Sequence, residues 1–106
     1  MSDIIFTTKS KDNIEIRLTR AQWKHIAYRH PEMRGRLKDI KEAIINPTAR
    51  RTHSKDIIKL YKFLKDKKKY IMVAVKTLNH EGFVITAYQT LRIQKEKPYV
   101  NETNNI

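Results

Sequence analysis

The segment WKHIAYRHPE at positions 23–32 carries two histidines and an arginine, His25, Arg29 and His30. A second segment, FVITAYQT at 83–90, carries Thr86 and Tyr88. Together these side chains could cleave RNA without a metal ion. That reaction needs a base to take the 2′-hydroxyl proton and an acid to protonate the leaving 5′-oxygen. It also needs cations or hydrogen-bond donors to hold the crowded phosphorane. Histidine suits the first two tasks because free imidazole titrates at about pH 6.5. Arginine suits the third through its planar fork of donors. Which histidine would act as base and which as acid is open at this level.

Competing chemistries lack their residues. With only Gly35 and Gly82 as glycines, the chain has no glycine-rich phosphate loop. The absence of cysteine removes disulfides, thiolate metal sites and cysteine nucleophiles together. His25 and His30 are five apart with no glutamate between them, unlike a helical zinc site with histidines four apart. No spaced Asp/Glu cluster suggests a two-metal nuclease. Ser2, Ser10 and Ser54 offer no strand-turn-helix elbow for a serine nucleophile. Neither a metal nor a cofactor is expected.

The elements that must position these residues follow from periodicity. Segments 3–8 and 13–18 read as two strands joined by a polar turn at 9–12, a hairpin in which Ile14, Ile16 and Leu18 alternate with Glu15 and Arg17. Thr19 reads as a helix N-cap, with Gln22 three residues on to complete a capping box. Trp23, Ile26, Ala27 and His30 share one face of the helix that follows. His25 and Arg29, four apart, share another face at roughly 6 Å between Cβ atoms. Pro31 ends or kinks this helix. His30 therefore has two readings of equal standing: a catalytic imidazole, or a partly buried residue that shapes the Pro31 turn. A second helix is expected over 36–45, with a stripe of Leu37, Ile40, Ile44 and Ile45, stopped by Asn46 and Pro47. Strands are expected over 48–53, 57–64, 70–76 and 83–89. In the last of them, alternation puts Thr86 and Tyr88 on one face and Phe83, Ile85 and Ala87 on the other. That pair could donate to a phosphate, or it could reflect the ordinary strand preference of Thr and Tyr. The order of two strands, two helices and four strands predicts an α+β fold. N-terminal helices would pack on an antiparallel sheet of about four strands, with an additional N-terminal β-hairpin.

The 106 residues suit one domain, expected over 1–94, with a flexible tail over 95–106 where the apolar pattern fades. Twenty-three Lys and Arg face eleven Asp and Glu, a formal net charge of +12. Such an excess repels itself unless a polyanion screens it, and nucleic acid is the commonest such partner. Arg50, Arg51, Lys59, Lys62, Lys67, Lys68 and Lys69 crowd the region of one presumed hairpin and could track a phosphate backbone; the other reading is a solvated turn. Tyr61, Phe63 and Tyr70, interleaved with them, are either core residues or stacking platforms for bases. No apolar run is long enough to cross a membrane. MSDIIFTTKSKD lacks the basic-then-apolar order of a secretory signal, so a cytoplasmic location is expected.

The blocks WKHIAYRHPE at 23–32 and GFVITAYQT at 82–90, with Pro47 between them, resemble a phage- and toxin-associated family. It belongs to the group of barnase, EndoU, colicin-type tRNase and RelE-like (BECR) nucleases. The resemblance covers about residues 15–93. It implies helices against a four-stranded antiparallel sheet and metal-independent cleavage of RNA to a 2′,3′-cyclic phosphate. It also implies a toxin role, with an acidic antitoxin or immunity protein as a partner beside RNA. Carried over by position, the site residues are His25, Arg29, His30, Thr86 and Tyr88. One departure from the group stands out: Glu32 is the sole adjacent carboxylate, so a barnase-style glutamate base is not visible and a histidine would have to serve. The alternative is a non-catalytic nucleic-acid-binding module of the same fold.

Overall fold

The computed structural model describes residues 3–95. Within them the chain runs β1 (Ile4–Lys9), β2 (Glu15–Thr19), α1 (Arg20–Arg29), a 3₁₀ turn (Pro31–Met33), α2 (Leu37–Ile45), β3 (Ala49–Thr52), β4 (Ile57–Leu64), β5 (Lys69–Leu78) and β6 (Glu81–Thr90). The expected elements form within a residue or two of their predicted ends. The expected tail over 95–106 falls outside the described residues, Lys95 apart.

Local chemistry explains the boundaries. In the β1–β2 turn the Ser10 hydroxyl accepts the Asp12 and Ile14 N–H groups, both at 3.3 Å. Asn13 there takes the left-handed conformation, φ 63°, that asparagine tolerates. Thr19 caps α1 by accepting the Gln22 N–H at 3.1 Å. The reciprocal half of the capping box does not form, because the Gln22 side chain turns away to donate to the Ile85 carbonyl of β6. At the other end Pro31 forbids another helical turn. His30 leaves the helix at φ −130°, ψ 76°, while its N–H still donates to the Ile26 carbonyl at 2.7 Å. His30 is thus the C-cap of α1 rather than a residue of its apolar stripe.

The sheet departs from expectation in one respect. The N-terminal hairpin is not an appendage: β2 pairs in parallel with β6 through Glu15–Glu81, Ile16–Gly82 and Arg17–Phe83. The result is one six-stranded mixed sheet in the order β1-β2-β6-β5-β4-β3. Ile16 and Leu18, 2% and 0% exposed, need a buried face, and the helix-covered side of β6 supplies it.

Both helices lie on one face of this sheet. Ile26, Met33, Ile40, Ala43 and Ile44 pack there against Leu60, Leu64, Ile71, Val73, Val75, Val84 and Ala87. Each fully buried aliphatic side chain of this kind contributes about 1.5–3 kcal/mol. The two edges curl toward this side: Asp12, beyond the end of β1, and Arg50 of β3 form an ion pair at 3.4 Å. On the opposite, outer face Tyr61, Met72 and Ala74 form a second buried cluster, flanked by Tyr70, Ile85, Tyr88 and Ile93.

One irregularity decides what β6 presents. Thr86 pairs with Ala74, but Val84 pairs with Val75, so Ile85 is an extra residue, a β-bulge. The bulge lets both Val84 and Ala87 face the helices, which strict alternation forbids. It also turns Thr86 and Tyr88 to the outer face, opposite Ala74 and Met72. Among the described residues no helix is long and apolar enough to cross a membrane.

Candidate active site on the outer sheet face

β2 pairs with β6 only as far as Phe83. The rest of that β6 edge is met by α1 and the 3₁₀ turn. Gln22 binds the freed Ile85 carbonyl. The Gln89 N–H donates to Glu32 Oε2 at 3.3 Å, and Gln89 Nε2 donates to the Glu32 carbonyl at 3.1 Å. These contacts hold His30 at the rim of the sheet. Its ring lies 5.3 Å from that of Tyr88, tilted by 45°. Nδ1 of His30 stands 3.9 Å from Glu32 Oε2, and the side chain keeps 33% of its surface in solvent. Among the described residues, neither the Tyr88 nor the Thr86 hydroxyl has a hydrogen-bond partner within the chain, so both are available to a ligand.

Beyond Tyr88 the outer face carries Tyr61 and then cations. Burial pushes the Tyr61 phenol above the ordinary tyrosine range. Its hydroxyl accepts the Gln94 N–H at 3.4 Å. Arg51 Nε donates to the Gln94 carbonyl at 2.9 Å, and Lys59 Nζ to the Gln94 side-chain oxygen at 2.8 Å. The chain from Arg92 to Lys95 is thereby tied across the end of the face, over a cavity of about 480 Å³. At the other end Arg17 is paired with Glu81 at 3.0 Å.

The sequence-predicted residues divide. His30, Thr86 and Tyr88 share the outer face and its rim. His25 and Arg29 do not join them: both are exposed on α1, and among the described residues their side chains make no hydrogen bond, ion pair or ring contact. Helical spacing sets both to one side of buried Ile26, flanking the face packed on the sheet, and there their side chains stay in solvent. Of the cations, Arg51 and Lys59 reach the outer face. Arg50 and Lys62, one register step away, point to the helix side. There Arg50 pairs with Asp12, and Lys62 donates to the Asn46 carbonyl at 2.8 Å, at the negative end of α2. Lys67 and Lys68 are exposed in the β4–β5 turn, and Lys69 opens β5 opposite Leu64. That turn lies at the end of the sheet where Tyr70 pairs with Thr90. Arg36 fixes the turn by bonding Asp66 at 2.7 Å, which holds the Asp66 carboxyl below the usual carboxylate range and the Arg36 guanidinium above its own.

Sequence reasoning missed Glu32 as the anchor of the His30 turn and Gln94 as the anchor of the final segment. The signal for the second was Ile93, an apolar residue in a polar run, which packs beside Tyr61 and Met72. Compared with models of protein families, with curated proteins and with solved structures, the chain matches none.

Proposed function

We propose that the protein is a metal-independent endoribonuclease that cuts RNA by 2′-hydroxyl attack, leaving a 2′,3′-cyclic phosphate. The observation that carries the reading is the His30 imidazole against the Tyr88 ring, 5.3 Å between centroids, at the rim of a sheet face bearing Arg51 and Lys59. Neutral His30 takes the 2′-hydroxyl proton, and the 2′-oxygen forms its bond to phosphorus. The bond from phosphorus to the 5′-oxygen breaks, and the Tyr88 phenol gives that oxygen its proton. Water returns a proton from the imidazolium to the phenolate. Glu32 Oε2 faces Nδ1 of the imidazole from 3.9 Å. Thr86 donates to a nonbridging oxygen. Lys67, Lys68 and Lys69 attract the strand to this end of the sheet, and Arg29, exposed on α1 just before His30, adds to the positive field there without reaching the reacting groups.

A toxin role fits the same face, since an acidic antitoxin or immunity protein would bind a surface with a +12 chain behind it. The test is cleavage of single-stranded RNA in EDTA, with detection of the cyclic-phosphate end. Salt-dependent binding without products would leave the protein a nucleic-acid-binding module.

A further inference from the structure

The cavity of about 480 Å³ beside Tyr88 has the size of a small-ligand pocket, and its lining is chemically specific. Tyr61, Tyr88, Ile93 and Gln94 line it. Its rim carries Thr90, Arg92 and Lys95, and among the described residues no carboxylate lines it. We infer that this pocket binds one nucleotide of an RNA strand, with the base against Tyr88, an acceptor edge on the Gln94 amide, and a phosphate on Arg92 and Lys95. The inference rests on the RNA reading of this face.

Three observations carry it. The first is the orientation of Gln94. The Lys59 ammonium only donates, so the Gln94 oxygen must face it. The amide nitrogen is turned the other way, and among the described residues its two N–H groups have no acceptor. Every nucleobase offers ring nitrogens or carbonyl oxygens to such donors. The second is Tyr61. Its oxygen is engaged by the Gln94 N–H, and among the described residues no acceptor takes its proton, which leaves a second donor on a pocket-lining group. The third is the fixing of the wall. Arg51 holds the Gln94 carbonyl, Ile93 packs on the outer cluster, and the Thr90 hydroxyl bonds both the N–H and the carbonyl of Arg92, at 3.4 and 3.3 Å. A wall held this way is organised before a ligand arrives, which lowers the ordering cost of binding. The placement beside His30 then has a consequence: a nucleotide seated here sets its neighbouring phosphodiester toward the imidazole.

The experiment is a backbone-amide NMR titration of the full chain with the four 5′-mononucleotides. Nucleosides and inorganic phosphate serve as separate arms. The expected result is saturable shifts at Tyr61 and over residues 88–95, with mononucleotides binding more tightly than either fragment. Arg92→Ala should weaken binding about threefold to tenfold, and Gln94→Leu by a similar factor while levelling the preference among bases. Shifts reproduced by phosphate alone, or lying elsewhere, would overturn the pocket. So would tighter binding by Gln94→Leu, which would make the segment a cover rather than a wall. Both variants alter exposed side chains, and the same spectra report whether they stay folded. Cleavage is read separately. Mononucleotide binding without cleavage keeps the pocket and ends the nuclease proposal, and cleavage without mononucleotide binding does the reverse.

Discussion

Replacing His30 by alanine separates catalysis from stability. The His30 side chain is one-third exposed, and among the described residues it makes no hydrogen bond. The backbone bonds of the cap, from the His30 N–H to Ile26 and from the Met33 N–H to the His30 carbonyl, do not involve the side chain and survive the change. What disappears is the ring contact with Tyr88, worth about 1 kcal/mol, and the weak pairing with Glu32. A melting point lower by about 4–8 °C is expected for a domain of this size. If the imidazole takes the 2′-hydroxyl proton, cleavage falls by about 10²–10⁴-fold. Even the lower figure is about 2.7 kcal/mol at the transition state, more than the loss in folding. The assay is the single-turnover rate on single-stranded RNA in EDTA at a temperature where both proteins are fully folded, beside a thermal melt. His25→Ala is the control: its side chain is exposed and among the described residues has no hydrogen bond or ion pair, so the change should leave both readings unchanged. A His30→Ala protein that cuts at the wild-type rate while folded would refute the reasoning, and a loss confined to His25→Ala would move the chemistry to the outer side of α1.

Other perturbations test the scaffold and the charges. A Cβ at Gly82 would meet Ile16 Cδ1 at 2.5 Å and the Lys76 carbonyl at 3.3 Å, so Gly82→Ala should destabilise by about 1–3 kcal/mol in denaturant titration. Ile26→Ala empties the fully buried contact of α1 with the sheet and should cost about 2–5 kcal/mol by the same measurement. The raised Tyr61 phenol keeps its proton longer in the folded chain than in the unfolded one. Its contribution is therefore complete below about pH 10 and is lost as pH rises through the folded value, so the stability of the wild type relative to Tyr61→Phe should fall in melts above pH 10. The lowered Asp66 carboxyl works in the opposite direction: the stabilisation that Asp66→Asn removes should be present at neutral pH and vanish as acid protonates the folded carboxyl.

The sequence by itself determined the elements. Thr19 and Pro31 bracket α1 because a hydroxyl caps and an imino ring stops. Ile40 and Ile44 mark the buried side of α2 because helical spacing brings them together, whereas Ile45, expected in the same stripe, is 39% exposed and Ala43 is buried instead. It also indicated that Thr86 and Tyr88 share a face, since strand alternation is local. Much of the candidate site lay beyond it. His25 and His30 look alike along the chain, and only the position of α1 against the free edge of β6 sets one beside Tyr88 and the other in solvent. Alternation sends Arg50 and Arg51 to opposite faces of β3, yet only the β3–β4 pairing decides that Arg51 takes the outer one. The parallel β2–β6 pairing, the bulge at Ile85 and the tie of Gln94 to Arg51 and Lys59 join residues far apart in the chain. Local patterns report backbone preference and amphipathicity. Contacts between distant segments are chosen by the packing of the whole core, so tertiary structure alone decided which groups share the outer face.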